Sequence, residues 1–165
     1  MHLGPVRGAV TTTTPRGTPD PELRHAVRAD LLDVFRIEQA SFPQPWPFSA
    51  FEGFLDAPGF LVALDDDGVV GYVVADTVPN HGRPLGHVKD IAVRPDRRGE
   101  GIGATLLERA LSILAGEGTS RVKLEVRTGN EEAIRLYRGF GFSHHHTVPR
   151  YYDDGEDALV MLRGF

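Results

Sequence analysis

The segment Arg98-Gly99-Glu100-Gly101-Ile102-Gly103 constrains this chain more than any other. It follows His87–Val93, which reads as a strand. It opens Gly101–Ala115, where Leu106, Leu107, Ala110, Leu111 and Leu114 fall on one side of a helix. A glycine-rich turn between strand and helix lets the backbone approach an anion and aim its N–H groups at it, and the helix N-terminus adds a favourable dipole. A phosphate or pyrophosphate suits that geometry. Two common nucleotide routes fit less well. A P-loop needs Lys followed by Ser or Thr after its last glycine, and Ala104-Thr105 stands there instead. A dinucleotide fingerprint tolerates the spacing of Gly99, Gly101 and Ala104, but it belongs to wound βαβ units, and the strands around this turn read as antiparallel.

The chain has 165 residues, 41% of them hydrophobic and 25% charged, which fits one globular domain. Residues 1–20 stand apart. They hold five Thr, three Gly and three Pro without a periodic apolar face, and are expected to be a flexible leader. Residues 21–165 form the domain. Leu23–Arg28 alternates as a strand. Asp30 stands as an N-cap before Leu31, Val34, Phe35 and Glu38, and Ser41–Pro47 is a proline-stiffened aromatic loop. Ser49-Ala50-Phe51-Glu52 reads as a capping box. Phe60–Leu64 and Val69–Thr77 are strands joined by the hairpin signal Asp65-Asp66-Asp67-Gly68. Arg121–Val126 is a strand and Asn130–Tyr137 a helix stopped near Gly139. Phe142–Val148 and Ala158–Leu162 are closing strands. The sum is an α/β (α+β) architecture, a mixed and mostly antiparallel sheet with helices on its faces.

Cysteine is absent, which removes disulfides, zinc–thiolate sites and a cysteine nucleophile. The net charge of −5 argues against a nucleic-acid partner and suits a cationic one, such as an amine or a basic peptide. No apolar run reaches membrane-spanning length and no signal segment opens the chain, so a cytoplasmic location without membrane association is expected. On a strand His144 and His146 would share a face while His145 points away. Two ligands without a third make a poor zinc site, so no metal is expected.

Several residues stay open on pattern alone. Glu125 projects from the strand face opposite Leu124 and Val126, toward either solvent or a polar cleft. Tyr137 reads as a core aromatic or a proton donor, and Asn130 as a helix N-cap. Phe42, Trp46, Tyr151 and Tyr152 read as a lid over the core or as pocket walls.

Longer patterns carry a resemblance. Ile91-Ala92-Val93-x-Pro95-x-x-Arg98-x-x-Gly101-x-Gly103 resembles motif A of the Gcn5-related N-acetyltransferase (GNAT) superfamily. Leu124-Glu125-Val126-Arg127, Asn130, Ala133-Ile134, Tyr137 and Gly139-Phe140-Gly141-Phe142 look like that superfamily's next segment. Glu38 with Phe42-Pro43-x-Pro45-Trp46, and Tyr151-Tyr152 with Gly155-Glu156-Asp157-Ala158, are similar to the ribosomal-protein-alanine N-acetyltransferase branch and its archaeal N-terminal acetyltransferase relatives. The resemblance spans residues 22–163.

The resemblance implies a single-domain GNAT fold in which two parallel strands, ending at Val93 and Val126, splay around acetyl-CoA. The backbone of Ile91, Ala92 and Val93 would bond the pantetheine arm and thioester, and Asn130 would add a side-chain bond. Arg98, Gly99, Glu100, Gly101, Ile102 and Gly103 would hold the pyrophosphate. Glu125 would act as base and Tyr137 as acid toward the departing thiolate. Phe42, Trp46, Tyr151 and Tyr152 would line the acceptor side. It also implies transfer of acetyl from acetyl-CoA, the cosubstrate, to a protein N-terminus, such as that of a ribosomal protein, by direct attack in a ternary complex. Absence of cysteine agrees with a route lacking a covalent enzyme intermediate. A lysine or small-amine acetyltransferase and a non-catalytic CoA-binding module are the alternatives, and a monomer or weak homodimer is expected.

Overall fold

The computed structural model describes residues 20–165, so all but Asp20 of the expected leader lies outside the described residues. Seven strands, β1 (Glu22–His25), β2 (Leu61–Asp65), β3 (Gly68–Val78), β4 (Leu85–Val93), β5 (Arg121–Arg127), β6 (Ser143–Val148) and β7 (Ala158–Gly164), make one sheet in the spatial order β1-β2-β3-β4-β5-β7-β6. Helices α1 (Leu31–Ser41) and α2 (Phe48–Gly53) cover one face, and α3 (Ile102–Gly116) and α4 (Glu131–Gly139) the other. Alternation along the strands feeds two cores. Leu31, Val34, Ile37 and Phe51 pack on Phe60, Val62, Tyr72, Val74 and Ala92. Leu106, Leu107, Leu111, Leu114 and Ile134 pack on Val73, Val88, Val122, Leu124 and Met161. Removing this much apolar surface from water drives the fold.

Every strand pair is antiparallel except β4 with β5, whose ladder holds only Gly86 against Val122 and His87 against Lys123. A Cβ at Gly86 would lie 3.0 Å from Val122 Cγ2, so glycine lets the strands meet there. Past His87 they part. A bulge contributes: Val74 faces Asp90 while Ala75 faces Val88, leaving Lys89 as an extra residue in β4. The bulge reverses the alternation, so Val88 enters the α3 core while Ala92, four residues on, enters the α1 core.

Three local expectations change. Asp30 does not cap α1; its carboxylate accepts the Val27 N–H at 2.8 Å and pairs with Arg24 at 2.8 and 3.0 Å. Ser49 and Glu52 form no capping box, because α2 begins a residue earlier at Phe48, behind Pro47, and Glu52 bonds Arg28 at 2.9 Å instead. His144 and His146 do not share a face, because a bulge separates them. His144 pairs with Met161 and His146 with Val160, which point to opposite sides of β7. Asn130 does cap α4, its side chain accepting the Ala133 N–H at 3.2 Å.

Candidate active site

The parting of β4 from β5 opens a cleft of about 320 Å³ between the α1–α2 loop, the Tyr151–Asp157 loop and α4. Phe42, Trp46, Ile91, Glu125, Asn130, Tyr137, Tyr151 and Tyr152, eight of the residues expected at a site, line it together. They come from segments up to 110 positions apart, Phe42 to Tyr152, and only the sheet order brings them into one place. Ala92 differs: its side chain is buried in the α1 core and its backbone stands opposite Tyr72 of β3, away from the cleft.

The floor is charged. The ring N–H of His87 (Nε2) donates to Glu125 Oε1 at 2.7 Å, Lys123 Nζ lies 3.2 Å from Glu125 Oε2, and Lys89 Nζ donates to His87 Nδ1 at 3.3 Å. Burial raises the Glu125 carboxyl, but the hydrogen bond from His87 and the ammonium of Lys123 outweigh it and bring the group to about 2. Tyr137, 7% exposed, is pushed above the usual phenol value chiefly by burial, so it carries its proton at neutral pH. Burial also raises Tyr152, to about 12, with Tyr151 adding to the effect and Arg127 opposing it.

Arg127 joins the two lips. Its guanidinium stacks 4.1 Å from the Tyr152 ring and pairs with Asp154 and Glu156 at 2.9 Å each, while its other nitrogen reaches Gln44 at 3.5 Å. Glu156 also accepts the Gly129 N–H at 2.9 Å and Asp157 accepts the Arg150 N–H at 2.9 Å. The acidic Gly155–Ala158 segment therefore anchors the loop that carries Tyr151 and Tyr152. On the other lip Trp46 lies 5.4 Å from both Phe51 and Phe54, a partly buried aromatic that walls the cleft and caps the core at once.

At the far end of β4 stands the glycine turn. Gly99 and Gly101 have φ of +83° and +86°, and Gly101 is the N-cap of α3, so no side chain competes for the first-turn N–H groups. Arg97 holds the turn in place. It is 8% exposed and pairs with Asp65 at 2.8 Å and Glu100 at 3.1 Å. Arg98 donates to Val93 O at 3.0 Å and to Ser41 Oγ at 2.9 Å, tying the end of β4 to the end of α1. The residues suit a pantetheine-linked diphosphate: positive-φ glycines and a helix start for the anion, and a length of β4 without a strand partner on its β5 side for an extended amide chain. Among the described residues no three His, Asp or Glu side chains group to hold a metal.

His87, Lys89, Lys123 and Arg127 were not singled out from sequence. Alternation from Glu125 does place Lys123 and Arg127 on its face. Nothing local signals His87, which meets Glu125 only through the β4–β5 register.

A central parallel splay, a glycine turn into a helix and an aromatic acceptor cleft define an acyltransferase of the GNAT type. Residues 31–142 match the Acetyltransferase (GNAT) family, and the chain belongs to it. The chain is 34% identical over 153 residues to the N-alpha-acetyltransferase of Saccharolobus solfataricus, covering 86% of this chain and 91% of that one. It is 30% identical over 136 residues to the ribosomal protein bS18-alanine N-acetyltransferase of Escherichia coli, covering 80% and 89%. The crystal structure of Ard1 from Thermoplasma volcanium superposes with a TM-score of 0.81 at 29% identity, covering 87% and 97%. No helix among the described residues is long and apolar enough to cross a membrane.

Proposed function

We propose that the protein transfers the acetyl group of acetyl-CoA to the α-amino group of a polypeptide N-terminus, such as that of a ribosomal protein. The observation that carries this reading is the arrangement around Glu125. Glu125 lines the cleft between two aromatic lips and its carboxylate already pairs with the ammonium of Lys123 at 3.2 Å, so the floor attracts a cation. An N-terminal α-ammonium is such a cation.

Acetyl-CoA supplies an activated acyl group; this chain's residues bind, orient and move protons. The backbone along Ile91–Val93 and the turn Arg98–Gly103 orient the donor. Glu125 receives the ammonium. Held at about 2, the Glu125 carboxylate stays ionised at neutral pH and attracts the ammonium. Glu125 takes the ammonium proton, directly or through a water, and the His87 Nε2–H bond at 2.7 Å fixes the carboxylate in place. Tyr137, kept protonated by burial, gives its proton to the departing thiolate. N–H groups on the β5 side of β4 beyond the two-residue ladder, other than that of Ile91, which Asp90 accepts, stabilise negative charge on the acyl oxygen.

The reading is tested by incubating the protein with acetyl-CoA and a peptide library carrying both free N-termini and internal lysines. Fragment-ion mass spectrometry is expected to place the added acetyl on the α-amine. Labelling confined to lysine ε-amines, or none on any peptide, would overturn it.

A further inference from the structure

At the acceptor side of the cleft, Glu38 of α1, Tyr72 of β3 and Asp90 of β4 meet in one chain, with Glu38 and the half-buried Asp90 on the cleft lining. Glu38 is 2% exposed and Tyr72 is fully enclosed. Glu38 Oε2 accepts the Trp46 backbone N–H at 2.8 Å, and Glu38 Oε1 accepts the Tyr72 hydroxyl. Tyr72 Oη lies 3.2 Å from Asp90 Oδ2, and Asp90 Oδ1 accepts the Ile91 N–H at 2.9 Å. A phenol has one proton, and here it goes to Glu38. The contact with Asp90 is therefore a hydrogen bond only if Asp90 is the carboxylic acid and donates to Tyr72. Burial and the neighbouring Glu38 both push Asp90 in that direction. With that assignment each member of the chain has a hydrogen-bond partner.

We propose that Glu38, Tyr72 and Asp90 are positioning residues of the acetyl transfer, a chain that fixes the Trp46 end of the acceptor lip against β4 at Ile91. The lip, Phe42–Trp46, is stiff within itself because of Pro43 and Pro45, yet a stiff segment still pivots about its ends. Glu38 fastens one end at the Trp46 N–H. The other end of the chain grips the strand whose backbone faces the donor. Acceptor and donor are thus held in register through the sheet, where a displacement of about 1 Å can cost on the order of 10²-fold in rate. In this arrangement Asp90 acts as a neutral donor, not as a base or as a seat for the substrate ammonium. The catalytic consequence rests on the proposed acetyl transfer; the chain itself does not.

Asp90→Asn keeps a neutral group that can donate to Tyr72 and accept from Ile91, whereas Asp90→Ala and Tyr72→Phe break the chain. Steady-state kinetics are expected to show Asp90→Asn within about threefold of the unmodified enzyme in kcat and peptide KM. Asp90→Ala and Tyr72→Phe are expected to raise peptide KM at least tenfold, with acetyl-CoA affinity changed by less than threefold. Trp46 is the sole tryptophan, so its emission reports the lip in the substrate-free protein. The emission is expected to shift to longer wavelength in Asp90→Ala and to match the unmodified protein in Asp90→Asn. Loss of peptide affinity in Asp90→Asn equal to that in Asp90→Ala would make Asp90 a working anion and overturn the proposal. Unchanged KM and emission in Asp90→Ala and Tyr72→Phe would overturn it as well. If the unmodified enzyme acetylated no peptide, the acetyl-transfer reading would fail, and Trp46 emission would still decide whether the chain holds the lip.

Discussion

Glu125 is gripped through both oxygens, by His87 at 2.7 Å and Lys123 at 3.2 Å, and this has consequences for stability and for rate. A carboxyl lowered from 4.5 to about 2 stabilises the folded state by roughly 3 kcal/mol, at about 1.4 kcal/mol per tenfold. Because the folded value is the lower one, that stabilisation is present above pH 4.5 and is lost as pH falls from there toward 2. Glu125→Gln is therefore expected to melt below the unmodified protein at pH 7, and the gap should close in melts recorded between those limits. In turnover, Glu125→Gln is expected to lose roughly 10²–10⁴-fold while CoA still binds. The loss should shrink as pH rises, because free amine then becomes abundant. Tyr137→Phe leaves the ring packed beside Phe142, 6.0 Å away, but removes the proton. Its defect should persist at high pH and ease with thioesters of more acidic thiols. Flat and near-normal pH–rate profiles for both variants would leave positioning of the amine as the main source of rate.

Elements place these side chains, and their ends are the sensitive points. The turn into α3 depends on Gly101 at φ +86°, where a β-branched residue is strained although a Cβ there would meet open space. Gly101→Val is expected to weaken CoA binding at least tenfold by calorimetry, about 1.4 kcal/mol, with the sheet intact by circular dichroism. Unchanged affinity would move the anion site away from this turn. The two lips meet through Arg127, which lies at the end of β5 and pairs with Asp154 and Glu156. Arg127→Gln removes the charge that holds the Tyr151–Asp157 loop and is expected to raise peptide KM about tenfold, with acetyl-CoA affinity unaltered. A change in the acetyl-CoA term alone would assign Arg127 to the donor side.

Across the whole molecule, the sheet of seven strands and the cleft it opens run from Glu22 to Gly164. Removing residues 1–20 is therefore expected to leave the melting temperature and turnover near full-length values. A large drop in either would show that the leader contributes to the folded domain. Much of the rest was written locally. The strand-turn-helix around Gly99 and Gly101, the two-residue alternation that turns Glu125 away from Leu124 and Val126, and the Asn130 cap all depend on neighbours a few positions apart, and φ/ψ preference and side-chain period express them directly. The longer motifs carried the GNAT resemblance because their residues recur at fixed short spacings. What the chain could not express locally were contacts between distant segments. The bulge at Lys89 puts Val88 and Ala92 in opposite cores, and the bulge at His145 parts His144 from His146; both depend on the partner strand's register, which no single strand encodes. Asp30 and Glu52 matched local capping rules and were drawn instead to Arg24 and Arg28, because a tertiary ion pair outcompeted the cap. His87 reaches Glu125, and Glu38 reaches Tyr72 and Asp90, only once the sheet order and the packing of α1 against it are set. Chemistry-bearing residue types were legible in sequence; the charge each carries and the partner each holds were decided by burial and by hydrogen bonds that exist only in the folded chain.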